Sequence, residues 1–465
     1  MARNRYILPG LTGFTLLLAA LILTDLWPGL RGPAPDTAEW HWVYALRPLA
    51  RWWLPLVAAV VMGGIAAWWL RTRRWRWGLA ALVVGNLLLQ GALIYPDNTA
   101  VFTELIERTL ADETNGYFRL AATIADMPAL LRDYPAQMST FPSEHTRTHP
   151  PGLILANWLA LQAFQRWPGL SQAIAETVWP LRCTDLWLLD SPPAVAAALA
   201  AVTLLLALAG ALTVLPTYGL ARRLLPDPAA RLATAFTAVL PALLIFTPTP
   251  VQADALLAVT AVWLLQIGLE RAQGRWFFLS GLVVSLMTFF SLGNAALLLL
   301  LAGYAGLNGW GMRGERPFPH FVGQLALLGV GAAAIWLMYW AGSGTPPWTV
   351  AQVGLAQHYQ LVTLHRRYDW WLVYNLLDVL LFAGPVVVVG FIGALVKPYS
   401  VFRVPCSVFR VPYSEIRNPK SDIQNLLLPL LLLLLLLDVS GSARGEVGRL
   451  WLFLMPFMTI GSAAF

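Results

Sequence analysis

Apolar runs of roughly 17 to 25 residues recur along the whole chain, separated by short polar stretches. Runs of that length match the hydrocarbon core of a bilayer, and in lipid they have to be helical because every backbone N–H and C=O needs an internal partner. The pattern predicts an all-α, polytopic integral membrane protein with about 12 transmembrane helices. They are placed near 8–27, 52–70, 78–95, 193–217, 232–247, 252–269, 276–290, 292–308, 320–341, 373–396, 425–437 and 451–465. The first run follows "MARNRY" without a small-residue cleavage site, so it is taken as a retained span rather than a signal peptide.

The longest interruption of the pattern is 96–192, and within it "PGLILANWLALQAFQ", 151–165, is short for a span. A single crossing there would reverse the orientation of everything downstream. Residues 151–192 are therefore expected to form a re-entrant or interfacial helix plus loop, or a pair of crossings. The units "ALVKPYS", "VFRVPCS", "VFRVPYS" and "EIRNPKS" fill 394–421, each with Pro at its fifth and Ser at its seventh position. Proline at that period excludes a regular helix interior, so a flexible low-complexity loop is expected. The expected organisation is an N-terminal two-span extension, 1–77, and a membrane domain, 78–393, that includes the outer loop 96–192. The repeat loop 394–421 and C-terminal spans in 422–465 follow, the last of them short enough to suggest truncation.

Composition agrees: 58% of residues are hydrophobic and 12% charged, where soluble domains carry about 25% charge. The net charge of +7 is informative only through its distribution. With a cytoplasmic N-terminus, the loops 1–7, 71–77, 218–231, 270–275, 309–319 and 397–424 are cytoplasmic and hold more than half of the 31 Lys+Arg. Of the 24 acids only Asp227, Glu270, Glu315, Glu415 and Asp422 fall there. Both signs favour one orientation, a multi-pass cell-membrane protein with residues 96–150 and 342–371 outside. Two cysteines, Cys183 and Cys406, fall on opposite sides and predict no bridge.

The polar groups suited to chemistry collect on the outer face, from four separate loops: Asp112, Glu113, Tyr117, Arg147, His149, Asp254, His358, His365, Arg366, Arg367, Arg444, Glu446 and Arg449. His149 precedes two prolines, which holds it extended at the start of the following helix. Asp254 lies near the start of an apolar span, where carboxylates usually face a cavity. His145 and His149 stand four apart, but no third ligand accompanies them, so no metal site and no cofactor is expected.

The segments "DETNGYFRLA", "THPPG" and "TPTPVQADALLAV", in that order, resemble the GT-C superfamily of membrane glycosyltransferases. Closest in pattern are the protein O-mannosyltransferases, the aminoarabinose transferases and their bacterial dolichyl-phosphate-mannose-mannosyltransferase-like relatives. The resemblance covers about residues 78–390, with an echo in "RGEVGRLWLFLMP" at 444–456. It implies a polyprenyl-phosphate sugar donor, a lipid, glycan or protein acceptor, and an extracytoplasmic active site. It also implies that Asp112 acts as base on the acceptor hydroxyl, with Glu113 beside it in a supporting role. Tyr117, Arg147, His149, Asp254, His358, Arg366, Arg367, Arg444, Glu446 and Arg449 would contact substrate, the arginines supporting the phosphate as planar donors.

The sequence departs from the family's pattern at one point. Two additional spans precede the acidic pair, and 16 residues separate Tyr95 from Asp112, which makes Asp97 a rival for the acidic role. A transporter or an inactive membrane protein is the alternative, although the spans show no internal repeat of the kind many transporters carry.

Overall fold

The computed structural model describes residues 7–33, 39–44, 50–95, 101–182, 185–311, 318–396 and 419–465. Cys183, Cys406, Asp97 and most of the 394–421 repeat lie outside them. Among the described residues every regular element is helical. In chain order these are α1 (Ile7–Thr24), α2 (Trp53–Arg71), α3 (Trp75–Ile94), α4 (Val101–Leu110), α5 (Tyr117–Thr123), α6 (Met127–Gln137), α7 (Glu144–Thr148) and α8 (Gly152–Gln165). Then come α9 (Pro168–Thr177), α10 (Trp179–Arg182), α11 (Leu186–Asp190), α12 (Pro193–Leu212), α13 (Val214–Leu224), α14 (Asp227–Ala238), α15 (Pro241–Ile245), α16 (Pro250–Arg271) and α17 (Gly274–Phe290). The last are α18 (Leu297–Gly311), α19 (Phe318–Ser343), α20 (Pro347–Leu361), α21 (Tyr368–Ala383), α22 (Pro385–Val396), α23 (Pro419–Ser440), α24 (Val447–Leu450) and α25 (Met455–Ala464).

Eight helical stretches are long and apolar enough to cross a membrane, and α21 with α22 makes nine if that bent pair is one span. Shorter apolar helices cover Pro9–Thr24, Gly274–Phe290 and Leu452–Ala464. The chain is thus a polytopic membrane protein. Helices α2 and α19 leave most of their apolar side chains, such as Val60, Val330 and Met338, exposed, as lipid-facing helices do. Leu82, Leu243, Val262, Leu300, Leu426 and Phe457 sit in the core between the spans.

The structure revises four boundaries. The expected 373–396 span is two helices bent by 108°. Gly384 sits at φ +88 and Pro385 has no N–H to offer, so the ladder cannot continue across that pair. Helix α13 carries the chain to Leu224, well into the expected 218–231 loop, and α14 resumes at Asp227. The described residues of 151–192 form the short helices α8 to α11, none of them among the stretches long and apolar enough to cross a membrane. The edges of the repeat are helical: α22 runs through Val396, and α23 opens on Pro419, a position where the missing N–H costs nothing.

Helices α4 to α9 form a cap with its own core, in which Phe118, Tyr134, Met138 and Ile154 pack with Leu199 of α12, Phe289 of α17, Tyr339 of α19 and Val350 of α20. This cap explains why 96–192 is long: it covers one end of the spans. Its joint with the spans is tight. A Cβ on Gly152 would come within 2.2 Å of the Phe289 carbonyl oxygen, so only glycine lets α8 approach the end of α17.

Candidate active site

Between the cap and the ends of the spans lies a cavity of about 280 Å³. It is walled by the turn before α5, by α7 and the chain leading to α8, by the first turn of α16, by residues 290–294, by the C-terminal part of α20, and by residues 442–453. Tyr117, His149, Asp254, His358, Arg366, Arg444, Glu446 and Arg449 all line it.

Five sequence candidates do not, Asp112 among them. Arg147 is turned onto its own loop, its Nε donating to the Phe141 carbonyl at 2.5 Å, and it braces α7 from behind. Arg367 pairs with Asp369 at the surface, with both side chains more than half exposed (58% and 60%), and lies 4.8 Å over the Trp370 ring. His365 is exposed in the short turn after α20. Glu113 is exposed in the turn between α4 and α5, although its carbonyl oxygen accepts from His145 Nε2 at 3.0 Å.

Asp112 occupies that same turn rather than a helix start, because the helix begins only at Tyr117. Residues Thr114 and Asn115, two and three positions on, line the cavity; Asp112 stands just behind them. Its Oδ1 is buried with no hydrogen-bond partner among the described residues. The turn is shaped by Gly116 at φ +68, where a Cβ would lie 2.5 Å from Ser143 Oγ and 3.1 Å from Asp112 Oδ1. Ser143 caps α7, accepting from the Thr146 N–H at 3.1 Å. One glycine therefore brings the acidic turn and the start of α7 together.

Asp254 enters the cavity from the first turn of α16, only 7% exposed. The Asn294 side chain lies beside it, its Nδ2 donating to the Met287 carbonyl at 3.1 Å, and Asp254 Oδ1 has no partner among the described residues. Asn294, in a short 3-10 turn at Leu292–Ala296, was not singled out from sequence. Its signal was a polar residue beside glycine inside the apolar run "SLGNAALLLL".

The imidazoles face this carboxylate as neutral groups. His149 is extended (φ −105, ψ 152), as its two following prolines require, and the Tyr134 hydroxyl donates to its carbonyl at 2.9 Å. Its Nδ1 lies 2.9 Å from the His145 carbonyl oxygen, which accepts that proton and leaves the lone pair on Nε2. Burial, then the neighbouring His145, pushes its pKa down to about 3. Burial and Arg449 lower His145, and burial and Arg366 lower His358. Burial raises Tyr117, which stays a neutral phenol with its ring edge-on to His149 at 5.7 Å.

The opposite wall is cationic. Glu446, held in a left-handed conformation at φ +61, accepts from Arg366 at 3.0 Å and also from Arg449. Burial works to raise its pKa, but the two guanidiniums hold it below the usual carboxylate range. Two arginines sharing one carboxylate leave one positive charge, and Arg444, which also lines the cavity, adds a second. Arg444 contributes differently, spending its donors on the carbonyls of Thr363, Arg366 and Gly441 at 3.0, 2.7 and 3.2 Å. It ties the 441–446 loop to the chain before α21. Among the described residues no three His, Cys, Asp or Glu converge closely enough to hold a metal ion.

Residues 194–336 match the family model of dolichyl-phosphate-mannose-protein mannosyltransferases. No curated protein and no solved structure matches the chain. The matched stretch carries Asp254 and Asn294, and it supports the resemblance to GT-C glycosyltransferases.

Proposed function

We propose that this protein transfers a sugar from a polyprenyl-phosphate donor to an acceptor hydroxyl, on the extracytoplasmic face of the membrane. The observation that carries the proposal is the composition of one cavity: unpartnered carboxylate oxygen, neutral imidazoles and a net cationic wall of three arginines and one glutamate, set between a polar cap and the ends of apolar spans. A donor with a lipid tail and a polar sugar phosphate needs such a boundary. The mannosyltransferase match over 194–336 supports the same class of reaction.

In this reaction the acceptor oxygen attacks the anomeric carbon, the bond from that carbon to the phosphate oxygen breaks, and a carboxylate takes the hydroxyl proton. The polyprenyl phosphate leaves as an anion, so the leaving group needs cationic support rather than an acid. Arg366 and Arg449, the two guanidiniums that share Glu446, are assigned to it; Arg366 gives one further donor to the Arg444 carbonyl, whereas Arg444 spends its Nε and Nη1 on three carbonyls. His149 Nε2 and Asp254 offer acceptors for sugar hydroxyls. Asp112 is assigned as the base and Glu113, exposed beside it, as an electrostatic support. One observation favours a second assignment: Asp254 lines the cavity and Asp112 stands behind its wall.

Purified protein in lipid nanodiscs, supplied with polyprenyl-phosphate mannose and assayed for polyprenyl phosphate release and glycosylated product, tests both. Asp112→Asn keeps the shape and removes basicity, so transfer should fall by about 10² or more; Asp97→Asn should change it little. Loss with Asp254→Asn but not with Asp112→Asn would move the base to Asp254. No transfer from that or any other polyprenyl-phosphate sugar by the wild-type protein would overturn the function itself.

A further inference from the structure

The N-terminal extension reaches the cavity wall through a four-residue stretch, 39–42, that no resemblance assigns. Between α1 and α2, Glu39, Trp40 and Trp42 fold back against α21 although they lie more than 300 positions away in sequence. Glu39 is 9% exposed; its Oε1 accepts from the Arg367 N–H at 2.7 Å and its Oε2 from Trp371 Nε1 at 3.4 Å, which caps the first turn of α21. The Trp40 ring packs 5.8 Å from Trp371 and lies 5.1 Å beneath the Arg366 guanidinium, the group that pairs with Glu446 in the cavity. Trp42 sits between Phe246 and Phe382 at 5.8 and 5.0 Å, and its Nε1 donates to Asp378 Oδ1 at 3.0 Å. Asp378 also lies close to the backbone of Val447 and Gly448, the opening of the turn that bears Arg449.

Of the two guanidiniums that share Glu446, Arg366 is thus backed directly by Trp40, and the turn bearing Arg449 is reached from Trp42 through Asp378. Trp40 presents a flat face to Arg366, and a planar cation on an aromatic face keeps its in-plane donors aimed sideways. Trp42 acts on Arg449 through Asp378 and α24. We propose that residues 39–42 are a positioning element for the phosphate-binding wall, so that the extension helps set the affinity of the cavity for the phosphate of its lipid substrate. The proposal rests on the function proposed above, and it makes Trp40 and Trp42 positioning residues that do not themselves touch substrate.

The test measures binding of a polyprenyl phosphate, without turnover, to the full-length protein in nanodiscs, together with KM and kcat for the polyprenyl-phosphate sugar. Trp42→Phe keeps the ring and removes the N–H; Trp40→Leu removes the aromatic face; Trp40→Phe restores one. Trp42→Phe and Trp40→Leu should each weaken binding and raise KM by about ten-fold, with kcat within about two-fold, and Trp40→Phe should recover most of the loss. Equal losses in Trp40→Phe and Trp40→Leu, or losses confined to kcat, would overturn the proposal. Wild-type affinity in Trp42→Phe and Trp40→Leu alongside weakened binding in Arg449→Gln would overturn it and leave the phosphate site standing. Wild-type affinity in Arg449→Gln would instead remove the phosphate site on which it rests. Should Trp42→Phe fail to fold, the Trp40 pair decides.

Discussion

His149 shows how much of a site is decided by a single side chain's surroundings. Its extended backbone follows from two prolines, but its protonation does not: the buried position beside His145 takes its pKa from an ordinary 6.5 to about 3. Between those values the unfolded chain binds a proton that the folded chain refuses, so stability is complete above about pH 6.5 and falls as the pH drops toward 3. The lowered values of His145 and His358 act in the same direction. His149→Gln, which cannot titrate, should give a shallower fall of the thermal midpoint between about pH 6.5 and 4 than the wild type. Equal slopes would show that His149 is not the group responsible. Asp254 belongs to the same scale. Its placement near a span start marked it as cavity-facing in the sequence, whereas its neighbour Asn294 comes from 40 positions further along and had no comparable mark.

At the scale of elements, the turn between α4 and α5 depends on one backbone conformation. Gly116 adopts φ +68, a region that costs a residue with a Cβ about 1–2 kcal/mol even in open space, and here the space is filled by Ser143 and Asp112. Gly116→Ala should therefore lower stability by at least about 1–2 kcal/mol and, by displacing the cap of α7 and the Asp112 carboxylate, reduce glycosyl transfer as well. Gly169→Ala is the control, since Gly169 has nothing within 4 Å of its would-be Cβ. Comparable midpoints and rates for the two variants would show that the turn tolerates the change. The elbow at Gly384 and Pro385 was equally visible as a dipeptide, yet the apolar run on both sides concealed it. A hydropathy pattern records transfer to lipid and is blind to a break whose residues are themselves apolar.

For the whole molecule the charge distribution predicts that the cap faces outward. In a Cys183→Ser, Cys406→Ser background, Asp133→Cys on the exposed side of α6 should react with an impermeant thiol reagent in intact cells. Arg73→Cys, exposed between α2 and α3, should react only after permeabilisation. The opposite pattern would invert the topology and put the cavity on the cytoplasmic side.

What the sequence determined by itself is the part governed by one dimension. Span positions follow from bilayer thickness, the all-helical class from the need to satisfy every backbone group in lipid, and the gathering of acids in 96–192 from the order of residues alone. The tertiary structure decided which polar groups meet. Arg366 and Glu446 are 80 positions apart and Trp42 and Asp378 are 336 apart, and nothing local couples them. It also separated side chains that are neighbours in sequence, sending Arg366 to the cavity and Arg367 to the surface. Both residues have extended backbone just before α21, where successive side chains point to opposite sides, so a run of polar residues names the neighbourhood, and only the packing of the chain against its partners selects the member that faces inward.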